Sequence, residues 1–192
     1  AEIYVNDAFA VSHRKHASIV GVPKFLPSYA GLLMKQEVEH LSKVFNPEHP
    51  FLFVLGGAKF ETKMPLIKKF LDKADKIFLA GALANNIFKE RGLELGTSLV
   101  SEVTSDLRGI SNNDRVVTPV EVTVTNSKGE VINRKANELQ KDECIVDIGH
   151  ETIKQLESLV KESKTILWNG PFGNYELGFQ DKTEVVAKMV AD

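Results

Sequence analysis

Directly after the apolar run Phe51-Leu52-Phe53-Val54 the chain reads LGGAKFETK, from Leu55 to Lys63. Two glycines end what reads as a buried strand, and two lysines, Lys59 and Lys63, follow four residues apart. Glycines let a ligand come close to the backbone, and a helix start presents free N–H groups to an anion. Lys63 falls in the first turn of the helix expected here, where a cation opposes the positive end of the helix dipole. An anion beside it would offset that cost, so the pair suits a polyphosphate chain. Two solvated lysines on a lysine-rich helix, with Lys68 and Lys69 following, explain the same spacing. On spacing alone both readings stand.

Other residue groups carry similar chemistry. SHRKHAS, Ser12 to Ser18, packs His13, Arg14, Lys15 and His16 together. Such a cluster can hold a carboxylate or phosphate, with arginine supplying bidentate geometry, or it is an exposed basic loop. Glu176 follows two glycines and could accept hydrogen bonds from ribose hydroxyls; the alternative is an ordinary surface acid. Trp168 reads first as core, and His150 as a helix-start residue without chemistry. The P-loop pattern and the G-x-G-x-x-G fingerprint after a strand are both absent from the sequence. No H-E-x-x-H motif or close carboxylate cluster suggests a metal, and the one cysteine, Cys144, excludes an internal disulfide or a cysteine cage.

The elements that must position these residues follow from periodicity. Ile3 to Ala10 reads as a short strand, and Ala30 to Phe45 as an amphipathic helix with Met34, Val38, Leu41 and Phe45 at helical spacing. After Pro50 a strand–glycine–helix rhythm appears four times: Phe51–Leu55, Ile77–Ala80, Ile145–Ile148 and Thr165–Trp168 each precede a glycine turn and a helix. Pro65 places the first of these helix starts near Thr62, since proline is tolerated in a first turn. The last helix opens with Asp181 and Glu184 at capping-box spacing. Arg115 to Lys135 alternates β-formers and polar residues around Asn-Ser-Lys-Gly and reads as a hairpin addition. The expected fold is therefore α/β: three layers, a mostly parallel sheet with helices on both faces, and a small antiparallel hairpin. Ligands of such sheets bind at the carboxyl ends of the strands. The turns GGAK, AGA, IGH and NGPFGNYE should then face one crevice.

Bulk properties set limits. At 43% apolar and 26% charged residues, the chain has the composition of a folded globular protein rather than a disordered one. A formal net charge of -2 gives no global field toward nucleic acid or anionic membrane, so any cationic function is local. No apolar run is long enough to span a bilayer and no leader is visible, and the lone cysteine fits a reducing compartment. The chain starts without methionine and stops inside a helical pattern, and so reads as an excerpt of a longer protein.

YVNDAFAVSHRKHAS, LGGAKFETK, AGALANNIFK, TPVEV, DIGHET and WNGPFGNYE stand in the order, and at roughly the spacings, seen in phosphoglycerate kinases. The combination resembles that family over nearly the whole chain. The resemblance implies a Rossmann-like nucleotide lobe and an enzyme of glycolysis that moves a phosphoryl group reversibly from 1,3-bisphosphoglycerate to Mg-ADP, giving 3-phosphoglycerate and ATP. It implies a cytoplasmic, monomeric parent with no nucleic-acid or membrane partner. Residues 1–29 would be a remnant of the substrate lobe, 30–46 the inter-lobe helix, and 47–192 most of the nucleotide lobe. Arg14 would bind the glycerate, with His13 and His16 in the basic patch. Lys59 would meet the transferring phosphoryl group and Lys63 the nucleotide phosphates. Gly57, Gly81, Gly149, Asn169 and Pro171 would line the nucleotide site, and Glu176 would hold the ribose. Magnesium would arrive with ADP or ATP, its protein-side aspartate lying outside this chain, so no metal ligand is expected within it.

The chain departs from the pattern at Ala80 and Ala82, where the family has glycines, and at His150, where it often has proline. Most of the substrate lobe and a later GGGDT-type segment are not in the sequence. The excerpt alone should therefore be inactive, and its truncated sheet would offer an edge for self-association. Two rival readings remain: a non-catalytic nucleotide- or phosphate-binding α/β module, and an unrelated α/β protein whose glycine turns do not share a crevice.

Overall fold

A computed structural model describes residues 1–102 and 106–192. The chain forms two compact units, Ala1–Pro47 and Glu48–Asp192.

In the first unit, β1 (Tyr4–Asn6) pairs in parallel with β2 (Ser28–Ala30). The sequence suggests a strand running to Ala10, but it stops at Asn6. The Asn6 side chain accepts a hydrogen bond from the Ala8 N–H at 3.0 Å, which turns the backbone into a 3-10 segment at Phe9–Val11. Helix α1 (Leu32–Ser42) follows Gly31 and tightens into a 3-10 turn through Phe45, slightly shorter than the expected span. Its N-terminus is capped from outside: the Met34 N–H donates to Asp7 Oδ1 at 2.7 Å. Among the described residues of this unit no apolar side chain is buried; Phe25 is 84% and Leu32 83% exposed.

The second unit holds the core. Its elements, in chain order, are β3 (Phe51–Leu55), α2 (Phe60–Phe70), β4 (Lys76–Leu79), α3 (Ala82–Glu90), α4 (Arg108–Ser111), β5 (Val116–Val117), β6 (Glu121–Thr125), β7 (Val131–Lys135), β8 (Cys144–Ile148), α5 (His150–Glu162), β9 (Thr165–Asn169) and α6 (Asp181–Ala191). Four of the strands form a parallel sheet in the order β5-β4-β3-β9. Strand β3 is central and apolar on both faces, which is why it reads as an unbroken hydrophobic run. Phe51 and Phe53 pack on Phe70 of α2, with ring centroids 5.8 and 4.7 Å apart. Leu52 and Val54 face the other way, toward Leu156 and Val160 of α5 and Val186 of α6. Helices thus cover both faces, giving the three layers expected. Each of these fully buried side chains contributes roughly 1.5–3 kcal/mol relative to exposure.

Three details correct the sequence reading. Strand β8, expected in the parallel sheet, instead pairs antiparallel with β6 in a separate sheet ordered β7-β6-β8. A short apolar run announces a strand but not its partner. Here Val122 and Val124 of β6, opposite Ile148 and Ile145, bury one face against Ala84 and Phe88 of α3, with a bulge between Thr123 and Val124. Helix α2 starts at Phe60 rather than near Thr62, with Lys59 as its cap residue, so Pro65 lies inside the helix. Proline there costs one backbone bond near the first turn, a cost met by the burial of Phe60, Met64, Ile67 and Phe70. Finally, Asp181 is the first residue of α6 and not its cap; Gln180 takes that place without a side-chain bond. Among the described residues no helix is long and apolar enough to cross a membrane.

Candidate functional site

The parallel pairing of β3 with β9 puts Leu55 beside Asn169, so the turns that follow these strands leave the sheet together. Gly56 donates its N–H to the Asn169 carbonyl at 2.9 Å. The turns are in backbone contact: a Cβ on Gly56 would stand 2.0 Å from the Pro171 carbonyl oxygen. The turn after β4 joins them, with the Leu83 N–H 3.3 Å from the Gly57 carbonyl. This adjacency explains a contact that no sequence spacing indicates. The Lys63 ammonium donates to Asn169 Oδ1, across 106 residues of chain. A lysine near the start of α2 is thereby tied to the turn after β9.

These turns line a cleft of about 370 Å³, a size suited to a small-molecule ligand. Gly57 and Ala58 come from the first turn, Gly81 and Ala82 from the second, and Pro171 through Glu176 from the third. Leu99, Ile145 and Val146 add apolar wall, and Asn85 and Asp147 are its two buried polar residues. Of the residues singled out in the sequence, Gly57, Gly81, Pro171 and Glu176 line the cleft. Lys59, Lys63 and Asn169 stand on the same turns and the start of α2 but outside that lining. Of the two alanines replacing glycines, Ala82 lines the cleft while Ala80 is fully buried in the core, so only Ala82 can touch a ligand.

Gly149 belongs elsewhere. Because β8 is not in the parallel sheet, its turn does not join the other three. Gly149 caps α5, and a Cβ there would lie 2.4 Å from the Glu121 side chain. Glu121 Oε2 accepts from the Glu151 N–H at 3.0 Å, and the Thr152 hydroxyl donates to the Glu121 carbonyl at 2.6 Å. The glycine thus makes room for a carboxylate at a helix N-terminus, where its charge is favourable. His150 opens α5, with its Nδ1 2.9 Å from the Asn133 amide nitrogen. Trp168 is half-buried, stacked on Phe172 at 4.9 Å, and donates its indole N–H to the Gly170 carbonyl at 2.7 Å. It braces the third turn.

Two residues of electrostatic interest carry no signal in the sequence. Asp147 is 4% exposed, and burial pushes its carboxyl up to about 6, although the Ile148 N–H at 2.8 Å and the Lys182 charge pull the other way. Lys182 donates to the Ile148 carbonyl at 2.6 Å and to the Thr123 hydroxyl, and burial lowers its ammonium from the usual range. Asp147 also borders a second cavity, of about 260 Å³, lined by Lys182, His150 and Asn133. Among the described residues no group of three or more histidine, cysteine, aspartate or glutamate side chains could hold a metal ion.

In the first unit the basic residues are exposed. The Arg14 Nε–H donates to His13 Nε2 at 3.3 Å, and His16 precedes the helical turn Ala17–Gly21.

Known proteins resemble this chain throughout. The family model for phosphoglycerate kinase matches residues 1–192. The chain is 40% identical to a phosphoglycerate kinase of Pseudothermotoga lettingae, covering 100% of this chain and 51% of that protein. It is 38% identical to one of Thermomicrobium roseum, covering 100% of this chain and 52% of that protein. Among solved structures, the phosphoglycerate kinase of Coxiella burnetii superposes with a TM-score of 0.84 at 32% identity, over 99% of this chain and 52% of the other. That of Pyrococcus horikoshii OT3 gives 0.84 at 28% identity, over 100% and 51%. The chain therefore spans about half the length of the relatives it matches. With a match over its whole length, the chain belongs to the phosphoglycerate kinase family.

Proposed function

We propose that this chain supplies the nucleotide-binding part of a phosphoglycerate kinase, which transfers a phosphoryl group reversibly between 1,3-bisphosphoglycerate and ADP. The carrying observation is the convergence of three strand–helix turns on one cleft, with Lys63 held against Asn169 beside it. A nucleoside diphosphate needs an apolar wall for its base, acceptors for its ribose and cations for its phosphates. Leu99, Ile145 and Val146 of the cleft wall provide the first and Glu176 the second; Lys59 at the cap of α2 and Lys63 against Asn169, both beside the cleft, provide the third. Phosphoryl transfer demands positioning and charge neutralisation rather than covalent help from the protein. Lys59, at the cap of α2, meets the phosphoryl group in transfer; Lys63 and the Asn169 amide hold the nucleotide phosphates. Gly57, Gly81 and Pro171 keep the backbone close to the ligand. Magnesium enters as part of the nucleotide complex, where it neutralises phosphate charge.

In the same reading Arg14 binds the glycerate substrate, with His13 and His16 extending the basic patch, and α1 is the connector between lobes. The relatives are about twice as long, so residues outside this sequence complete the catalytic set. The chain by itself is then a nucleotide-binding module that does not turn over. A coupled ATP-forming assay on the 192-residue chain tests this, and robust turnover refutes it. Calorimetry with ADP on wild type and Lys63→Ala tests the site: the variant should bind at least about fivefold more weakly, as for a charge-assisted contact. Equal affinity removes Lys63 from it.

A further inference from the structure

We infer that Asn85 selects the nucleobase, its Oδ1 accepting a hydrogen bond from an exocyclic amino group of the kind adenine carries. The inference rests on the reading of the cleft as a nucleotide site.

Asn85 and Asn86 are neighbours on α3, both nearly inaccessible to solvent, at 2% and 3% exposure. Asn86 spends both ends of its amide on one partner, donating to the Ser101 carbonyl at 2.8 Å and accepting from the Ser101 N–H at 3.3 Å. Asn85 spends only one. Its Nδ2 donates to the Leu99 carbonyl at 2.9 Å, which fixes the amide plane and leaves Oδ1 buried with no hydrogen-bond partner. A buried unpaired acceptor is costly and uncommon in folded proteins. Asn85 is also one of the residues lining the cleft.

The chemistry of the partner follows. Oδ1 is an acceptor, so it repels phosphate oxygens and needs a donor. A nucleotide offers donors at its ribose hydroxyls and at base amino groups. Ribose is assigned to Glu176, and the wall around Asn85 (Leu99, Ile145, Val146) is apolar, suited to a flat ring. The base is left for Asn85. Because Oδ1 is already out of water, pairing strips no solvent from the protein side, and a small local adjustment admits the donor. A base with hydrogen or oxygen at that position leaves the acceptor unpaired or facing another acceptor.

Calorimetry on the 192-residue chain with three probes tests this: ADP, purine riboside 5′-diphosphate, which lacks the amino group, and IDP, which carries an oxygen there. Wild type should bind the purine riboside compound about tenfold more weakly than ADP, and IDP more weakly still. Asn85→Leu, with unchanged circular dichroism, should bring all three within about twofold of one another. Equal affinities in wild type, or discrimination that survives in folded Asn85→Leu, overturn the role of Asn85 while leaving the cleft as the nucleotide site. Should the variant not fold, the three probes on wild type decide alone. No binding of any probe overturns the cleft assignment and the inference with it.

Discussion

Replacing Asp147 by asparagine should make the protein more stable at neutral pH and leave it unchanged in acid. Asp147 is buried between the cleft and the second cavity, and burial raises its carboxyl from 3.8 to about 6. The Lys182 ammonium and the Ile148 N–H moderate that rise without cancelling it. At about 1.4 kcal/mol per pH unit, ionising the folded protein costs about 3 kcal/mol more than ionising the unfolded chain. The sign follows from proton binding. Between pH 3.8 and about 6 the folded state keeps a proton that the unfolded state has released, so stability falls as pH rises through this window. Below the window both states are protonated and the asparagine variant gains nothing. Above it the wild type carries a buried carboxylate and the variant a neutral amide, so the variant should lead by up to about 3 kcal/mol. Urea unfolding of both proteins from about pH 4 to 7.5, compared as a difference, isolates Asp147 from the other titrating groups. Lys182→Met should extend the upper edge of the window to higher pH, because the charge that holds the folded carboxyl down is gone. A difference that stays flat with pH, or that shrinks as pH rises, refutes the argument.

Gly56→Ala forces a Cβ to within 2.0 Å of the Pro171 carbonyl oxygen; it should cost about 2–3 kcal/mol in thermal unfolding and weaken ADP binding together with it. Glu121→Ala removes the acceptor for the Glu151 N–H at the start of α5, with an expected loss of about 1 kcal/mol by urea titration; an unchanged midpoint would mean that water serves that N–H equally well. Arg134→Met strips Glu143, which is 2% exposed, of its 2.9 Å guanidinium partner. Because Arg134 itself is partly solvated, roughly 2–3 kcal/mol is expected, and a loss below about 0.5 kcal/mol would mean that water takes over the pairing.

The sequence carried the parts of this fold whose signals are local. The glycine turns, the buried runs of β3 and β4 and the amphipathic helices were all legible, since each is written in a few adjacent residues. Pairing is not local: β8 reads as a fourth parallel strand, yet it pairs antiparallel with β6, because an apolar run does not name its neighbour. The consequence was specific. Gly149 reads in the sequence as a cleft glycine, whereas its lack of a side chain makes room for Glu121. Asn85 and Asp147 sat inside quoted motifs, AGALANNIFK and DIGHET, without a role. An asparagine in a helix and an aspartate in a strand become informative only when burial and the partner of each polar atom are known.

The pairing of β3 with β9 has a consequence for the order of assembly. Lys63 and Asn169 are 106 residues apart, so the third turn reaches the other two only after the intervening chain has been gathered in. Contacts of such long sequence separation bear the largest loop-closure entropy and tend to form late in folding. The β3–β4 hairpinless crossover can form before them, but the cleft exists only once β9 has docked. A nucleotide bound there would clasp turns joined only by contacts of long sequence separation. It should therefore slow unfolding while leaving the folding rate nearly unchanged.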